Sequence, residues 1–200
     1  KNKYVKNMSI KKDHKKLIKM NKGRKNFISW KANAWGIDLN RQYPVDWENK
    51  VIKVNSPSYK NYTGKKPLEA VEARHIVDFI DEIRPEILIN YHSSGRVIYW
   101  YTSRASSKIR DITREIAREY CRFSGYQLVP SSPDEGAVGL QDYFFDRYNR
   151  PSLTPELGKY VAETNVSLDE FDEVWLRNKE AGLYIAKEGY NLWEKRKNKY

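Results

Sequence analysis

The stretch Ile87-Leu88-Ile89-Asn90-Tyr91-His92 decides the fold, because it is a short apolar run that ends in a histidine. A continuous apolar run of this length is typical of a strand buried on both faces of a parallel sheet. Ligands of open α/β sheets bind at the carboxyl ends of such strands, and His92 stands at that end. The run therefore predicts a strand that delivers a metal-binding side chain, with a purely structural histidine as the alternative.

Strands and helices alternate along the rest of the chain. The pattern predicts strands over 87–91, 97–101, 126–129 and 152–156, and helices over 67–84, 109–120 and 139–148, followed by a long C-terminal helix opened by a capping box of Ser167 and Glu170. The alternation implies an α/β fold with a mostly parallel, twisted mixed sheet that carries helices on both faces.

The segment Gly36-Ile37-Asp38-Leu39-Asn40-Arg41 places strongly polar groups inside an apolar frame. The planar fork of Arg41 can grip a carboxylate through two parallel hydrogen bonds, and Asn40 can add an amide donor. The pair suits the C-terminal carboxylate of a peptide. A surface ion pair between Arg41 and Asp38 is the alternative.

A second polar group, Glu156, follows the strand-like stretch Ser152-Leu153-Thr154. In a partly desolvated cleft the pKa of this carboxyl would rise, and the group could then take up and release a proton. The position predicts a general base. An ordinary loop acid is the alternative.

Taken in order, these segments resemble the carboxypeptidase A-type zinc metallopeptidase family. Two further segments share the resemblance, namely Tyr62-Thr63-Gly64-Lys65-Lys66-Pro67 and Gly139-Leu140-Gln141-Asp142-Tyr143. It covers roughly residues 26–190. The stretch Trp30-Lys31-Ala32-Asn33, with the Asp38–Arg41 segment after it, is most similar to the bacterial branch that cleaves γ-D-glutamyl-diamino acid bonds in peptidoglycan peptides.

The resemblance implies a zinc-dependent hydrolysis in which the metal polarises the scissile carbonyl and activates water. It makes His92 a metal ligand and Glu156 the catalytic base and acid. Asn40 and Arg41 would bind the free carboxylate of a peptide substrate, such as a peptidoglycan stem peptide, and Gln141 would face the substrate side chain. An extracellular or cell-wall location follows if the peptidoglycan interpretation holds.

The expected set of zinc ligands is incomplete in this sequence. Catalytic zinc needs three protein ligands, and the family takes two of them from an H-x-x-E segment that is missing here, so one of three is present. His14 is followed by lysines, and His75 falls on the face of a predicted helix. We expect the chain to be the C-terminal portion of a longer protein, inactive by itself; a noncatalytic carboxylate-binding relative is the alternative.

The positive charge is concentrated at the start of the chain. Residues 1–25 hold ten lysines and one arginine against one aspartate, so of the overall net charge of +11 only +1 belongs to the other 175 residues. We therefore expect a basic segment over 1–25 and the catalytic-domain portion over 26–200. The basic segment could bind a polyanion, including cell-wall teichoic acid, but specific nucleic-acid binding is not expected because Phe27 and Trp30 follow the lysines instead of alternating with them. The sequence has no run long enough for a membrane span, and its single cysteine excludes an internal disulfide framework.

Overall fold

The structure is a computed structural model that describes residues 11–50, 54–129 and 139–198. Its helices are α1 (Lys11–Met20), α2 (Val71–Ile83), α3 (Ser107–Ser124), α4 (Leu140–Tyr148), α5 (Phe171–Asn178) and α6 (Ala181–Lys197). Its strands are β1 (Leu88–Ile89), β2 (His92–Ser93), β3 (Val97–Tyr99), β4 (Gln127–Leu128) and β5 (Ser152–Leu157), and 3-10 helices cover Leu39–Arg41, Trp47–Asn49 and Leu168–Glu170. Within the described ranges, no helix combines the length and apolarity needed to cross a bilayer.

The sheet is built around β5. Strands β1 and β2 both pair with β5 in parallel, β3 pairs with β5 on the other side in antiparallel orientation, and β4 is parallel to β3. The mostly parallel, mixed sheet predicted from the sequence is confirmed.

The strand predicted over 87–91 is divided into two short strands, β1 and β2, and Leu88 and Ile89 are half-buried, not buried on both faces. The pairing with β5 continues past Tyr91 through His92–Ser93. The backbone N–H of Asn90 donates to Leu153 O at 2.9 Å and keeps the two strands in register between β1 and β2. His92 is consequently fixed inside a hydrogen-bonded ladder, where its backbone has little freedom.

The chain folds into two compact units, and the second contains the sheet. Of the described residues, this unit comprises 79–129, 140–162 and 166–198. Its core consists of Ile87, Ile98, Trp100, Ile116, Ala117, Tyr120, Tyr126, Leu153 and Ala181. Ile98 of β3, Leu153 of β5 and Tyr120 of α3 are all 0% exposed, so one face of the sheet packs directly against α3.

The long C-terminal helix predicted as one element is divided into two helices, α5 and α6. Of the predicted capping box, the Ser167 half is confirmed and the Glu170 half is wrong. The Ser167 hydroxyl accepts from Asp169 N at 3.3 Å, as a cap should, but Glu170 Oε2 accepts from Lys159 N at 2.9 Å. The division follows Asn178, whose amide donates to Val174 O at 2.8 Å and to the Tyr126 hydroxyl at 3.1 Å. A side chain that bonds back to its own helix in this way competes with the backbone ladder.

The first unit includes α1, so the lysine-rich segment is folded over the part that the structure describes. This unit comprises residues 11–50, 54–78, 139 and 163–165 of the described chain. Leu17 and Met20 of α1 are buried, and so is Asn21, which is 1% exposed. Within the basic segment predicted over 1–25, Leu17, Ile18 and Met20 give the described part of the run an apolar side that the lysine content does not indicate.

One buried amide, that of Gln42, organises the segment before α2. Its Nε2 donates to Thr63 O and, at 3.3 Å, to Lys66 O, while its Oε1 accepts from Ala70 N at 2.7 Å. Gln42 is 0% exposed. These bonds hold residues 63–70 in an irregular conformation, which explains why α2 begins at Val71 and not at Pro67 as the proline predicts.

We expect Gln42→Ala to lower the free energy of unfolding by about 2–4 kcal/mol, because it leaves two carbonyls and one N–H buried without partners. Urea denaturation followed by circular dichroism measures the loss. Gln127→Ala is the matched control, since Gln127 is exposed on β4 and should change stability by less than ~0.5 kcal/mol. Equal stability of the two variants would contradict the role given to Gln42.

Candidate active site

The pleat of β5 separates an apolar face from a polar face. Successive side chains of a strand point to opposite sides, so Leu153 and Pro155 enter the core while Ser152, Thr154 and Glu156 lie on the other face. Ser152 and Thr154 are buried and Glu156 is half-buried, which makes this a partly desolvated polar surface. Such a surface can hold reactive groups in a fixed geometry.

His92 lies beside Glu156 on this polar face. The two residues are register partners across the parallel pairing of β2 with β5. Register partners direct their side chains to the same face, and neighbouring strands are about 4.8 Å apart. The structure therefore brings together the two groups, an imidazole and a carboxylate, that the sequence analysis placed in one site from positions 64 residues apart.

Asn90 contacts the His92 ring. Its amide nitrogen lies 3.0 Å from His92 Nε2. Asn90 lies between β1 and β2, where its N–H donates to Leu153 O, and it is two positions before His92, so both side chains belong to the polar face. A hydrogen bond to one ring nitrogen orients the imidazole and determines which nitrogen carries the proton.

Arg96 fixes the backbone of Glu156 from the opposite side of β5. The backbone N–H of Arg96 donates to Glu156 O at 2.8 Å. Its guanidinium pairs with Glu173 of α5 at 2.5 Å and with Glu170 at 3.7 Å. Glu156 is thus held between β2 on one side and the turn that precedes β3 on the other.

Gln141 also reaches this face, but its amide bonds to the protein. Its Nε2 donates to Tyr99 O and to Ser152 O, both at 3.0 Å, and its Oε1 accepts from Thr154 Oγ1 at 3.1 Å. Both polar atoms of the side chain therefore join β3 to β5. The predicted contact of Gln141 with a substrate side chain stays a prediction.

The residues predicted to bind a carboxylate lie in the first unit, in a 3-10 turn over Leu39–Arg41. Asp38 caps this turn: its carboxylate accepts from Asn40 N at 3.3 Å and from Asn61 N at 2.9 Å. Asp38 is only 2% exposed, so it is not one half of a surface ion pair with Arg41. Its role is to shape the turn that presents Asn40 and Arg41.

Gly36 is needed for the same turn. Its φ is +76°, and a Cβ at this position would lie 2.6 Å from Met20 Sδ and 2.9 Å from Ser58 N. The glycine of the Gly36–Arg41 segment therefore allows a left-handed backbone and a close approach of α1.

The guanidinium of Arg41 is only partly satisfied by the described residues. Its Nη1 donates to Asn40 O at 2.9 Å. Its Nε–H is buried and has no hydrogen-bond partner among these residues. A buried donor of this kind requires an acceptor, and a bidentate carboxylate is the acceptor that suits the guanidinium fork best.

The described residues do not complete a zinc site. All three histidines of the chain are described, and no group of three or more His, Cys, Asp or Glu residues in this part of the chain could hold a metal ion. His14 is exposed on α1 and His75 is exposed on α2, as the sequence analysis expected for a helix-face residue. Catalytic zinc needs three protein donors, so the role of His92 as a metal ligand stays a prediction.

The single thiol does not offer an alternative nucleophile. Cys121 lies on α3, and burial raises the pKa of its thiol to about 11. The thiolate is the reactive form, so a thiol with this pKa is almost entirely protonated at neutral pH.

Sequence reasoning missed Asn90, Thr154 and Arg96, although a usable signal existed for two of them. Asn90 is two residues before His92 and Thr154 is two residues before Glu156, so strand alternation places all four side chains on one face. Arg96 holds Glu156 through its backbone N–H, and its guanidinium pairs with Glu170 and Glu173, which are 74 and 77 residues further along the chain. No local sequence pattern indicates these contacts.

Comparison with known proteins gives the same fold and family. The family profile described as zinc carboxypeptidase matches residues 9–165, so it begins inside the lysine-rich segment. Gamma-D-glutamyl-L-diamino acid endopeptidase 1 of Lysinibacillus sphaericus is 32% identical over 172 residues, which are 86% of this chain and 41% of that protein. The uncharacterized protein YqgT of Bacillus subtilis (strain 168) is 33% identical over 145 residues, 72% of this chain and 38% of that protein. The chain thus spans about two fifths of the length of these curated relatives.

Two solved structures share the fold. Carboxypeptidase A from Helicoverpa armigera has a TM-score of 0.62 at 18% identity, over 76% of this chain and 42% of that one. Bovine thrombin-activatable fibrinolysis inhibitor, in complex with tick carboxypeptidase inhibitor, has a TM-score of 0.60 at 20% identity, over 80% of this chain and 57% of that one.

We expect Gln141→Leu to destabilise the protein by about 1–3 kcal/mol, because Tyr99 O, Ser152 O and the Thr154 hydroxyl lose their partner. Urea denaturation measures the effect, and Thr154→Val completes a double-mutant cycle. In the Gln141→Leu background Thr154→Val should cost less than in the native protein. Strictly additive losses would mean that the two side chains do not interact.

Proposed function

Because the chain belongs to the zinc carboxypeptidase family, we propose that it is part of a zinc-dependent peptidase that hydrolyses an amide bond near a free carboxylate. The observation that supports this most is the register pairing of His92 with Glu156 on one polar face. In this arrangement the proposed metal ligand and the proposed proton-transfer group lie side by side on two paired strands, which hold them rigidly.

In this proposal Glu156 is the catalytic base and acid. It takes a proton from the attacking water and passes it to the leaving amine. Two features suit the carboxylate for this: it is half-buried, and its backbone is bonded to Arg96 at 2.8 Å.

His92 is proposed as one metal ligand, oriented by Asn90. The contact of 3.0 Å between the Asn90 amide and His92 Nε2 orients the ring. A metal on Nδ1 needs the proton on Nε2, so in the proposal the Asn90 amide presents its oxygen to Nε2 when the metal is bound. The other two ligands are expected from an H-x-x-E segment, which this sequence does not contain. We therefore expect the 200-residue chain alone to lack stoichiometric zinc and to be inactive.

Asn40 and Arg41 are proposed to bind the free carboxylate of the substrate. The Nε–H of Arg41 is buried without a partner in the described chain, and a carboxylate would satisfy it together with a second donor of the fork. Binding a remote group of the substrate in this way positions the scissile bond.

The proposed substrate is a γ-D-glutamyl-diamino acid peptide of the cell wall. The support is the identity of 32% to an endopeptidase whose name states that bond, over 86% of this chain. A peptidoglycan stem peptide has both the bond and the free carboxylate. An extracellular or cell-wall-associated location is part of the same proposal.

The natural full-length protein carrying Glu156→Gln should lose at least ~100-fold in kcat on a γ-D-glutamyl-diamino acid peptide, since the amide cannot transfer the proton. Bound zinc, measured by elemental analysis, should be unchanged. Glu180→Gln, at an exposed position, is the control and should keep full activity. Normal turnover of Glu156→Gln would remove Glu156 from the mechanism, and a native protein without zinc and without turnover would favour a noncatalytic carboxylate-binding relative.

Arg41→Ala should weaken binding of substrates with a free α-carboxylate by about 10- to 100-fold, the range expected when hydrogen bonds to a charged group are lost. Steady-state kinetics on matched free and amidated peptides measures the difference. Arg41→Lys keeps the charge but not the fork, so it should restore only part of the affinity. An equal loss on amidated peptides would mean that Arg41 is structural.

A further inference from the structure

A strongly basic surface covers α1 and the turns that follow it. We call it the basic face. Its exposed members are Lys15, Lys16, Lys19, Lys22, Arg24, Lys25 and Lys31. The proposed peptidase function uses none of them.

The fold holds the basic face in a fixed shape. Leu17 and Met20 anchor α1 through its apolar side, and Met20 O accepts from Tyr59 N at 3.1 Å. The buried Asn21 amide then donates to Arg24 O and to Asn26 O, both at 2.8 Å, and so closes the turn after the helix. Cations carried by an anchored helix lose less entropy on binding than cations on a solvated arm.

Acidic residues neutralise little of this surface in the described chain. Asp13 is the acid of α1, and it is half-buried. Glu163 pairs with Lys60, which lies outside the basic face. The hydrogen bond from Lys60 is the main cause that lowers the pKa of Glu163, and the charges of Arg24 and Lys31 contribute less.

Three of the aromatic rings beside the cations, those of Phe27, Trp30 and Tyr59, are buried or half-buried. The Tyr59 ring lies under Arg24 at 4.5 Å, with Lys60 at 5.6 Å and Lys22 at 5.7 Å. Phe27 and Trp30 pack against each other with ring centroids 5.6 Å apart.

Trp35 is 65% exposed, but Lys16 lies 5.2 Å over its ring. Single-stranded nucleic acids need open aromatic faces on which bases can stack. These rings stack on cations or on each other, so the surface fits an anionic polymer that has no bases.

We propose that the basic face binds a cell-wall polymer with a repeating phosphodiester backbone, of the poly(glycerol phosphate) type. The choice of a cell-wall polymer rests on the proposed function. Lys15 and Lys19 are one helical turn apart, about 6 Å, so successive phosphates of one extended chain can meet successive lysines. Such binding would hold the peptidase next to its insoluble substrate.

The test measures binding of the chain, labelled with a fluorophore, to poly(glycerol phosphate) between about 50 and 200 mM NaCl, since phosphate contacts make affinity fall with salt. The triple variant K15Q/K16Q/K19Q should lose at least ~10-fold in affinity and about two units of the log–log salt slope. The control K187Q/K195Q/K197Q removes the same charge from exposed positions of α6 and should change affinity less than about twofold. Circular dichroism confirms that both variants are folded.

Three results would overturn the proposal: no binding of the polymer by the native chain, equal losses in the two triple variants, or tighter binding of single-stranded nucleic acid than of the polymer. Neither metal nor turnover enters the measurement. Failure of the natural protein to hydrolyse a small soluble γ-glutamyl peptide would instead count against the proposed function, so the two failures are distinguishable.

Discussion

The parallel pairing of β2 with β5 is the constraint on which the candidate site depends. It places His92 and Glu156 at the same level on the same face, and the pleat then decides what surrounds them. The residues between the polar ones on β5 are Leu153 and Pro155, which are buried in the core. A one-residue slip of β5 would turn Glu156 into the core and would cost the burial of Leu153. Packing of the apolar face of β5 therefore also fixes the position of its polar face, which carries Glu156.

Much of this arrangement was predictable, because it depends on periodicity. The run before His92 predicted a buried strand, the stretch before Glu156 predicted another, and the mixed sheet joins them. The sequence could not give the register or the central place of β5, because strand pairing is decided by contacts between distant segments. The lysine content of residues 11–25 concealed the buried positions Leu17 and Met20. The roles of Asn40, Arg41, His92, Gln141 and Glu156 stay predictions.

The segments of the first unit between α1 and α2 have no helix or strand periodicity in the sequence, and the structure shows why. Its backbone is held by buried polar side chains, mainly Gln42, which is 0% exposed, and Asp38, which is 2% exposed. Each binds backbone groups 20 or more residues away, at Ala70 and Asn61 respectively. A buried polar group stabilises a loop only if its partners are present, so these residues specify one conformation. That conformation presents the Leu39–Arg41 turn.

Arg41 and Arg96 are both partly buried, but they differ in how far the protein itself compensates the charge of the guanidinium. Both have a buried Nε–H without a partner among the described residues. The guanidinium of Arg96 is nevertheless compensated by Glu173 and Glu170 of the same unit, and it holds the turn beside Glu156. Arg41 donates to the backbone carbonyl of its neighbour Asn40, and no acidic residue of the described chain forms an ion pair with it. A partly buried cation with so little compensation is costly unless an anion binds there, which is the physical reason for proposing Arg41 and not Arg96 as the group that binds the substrate carboxylate.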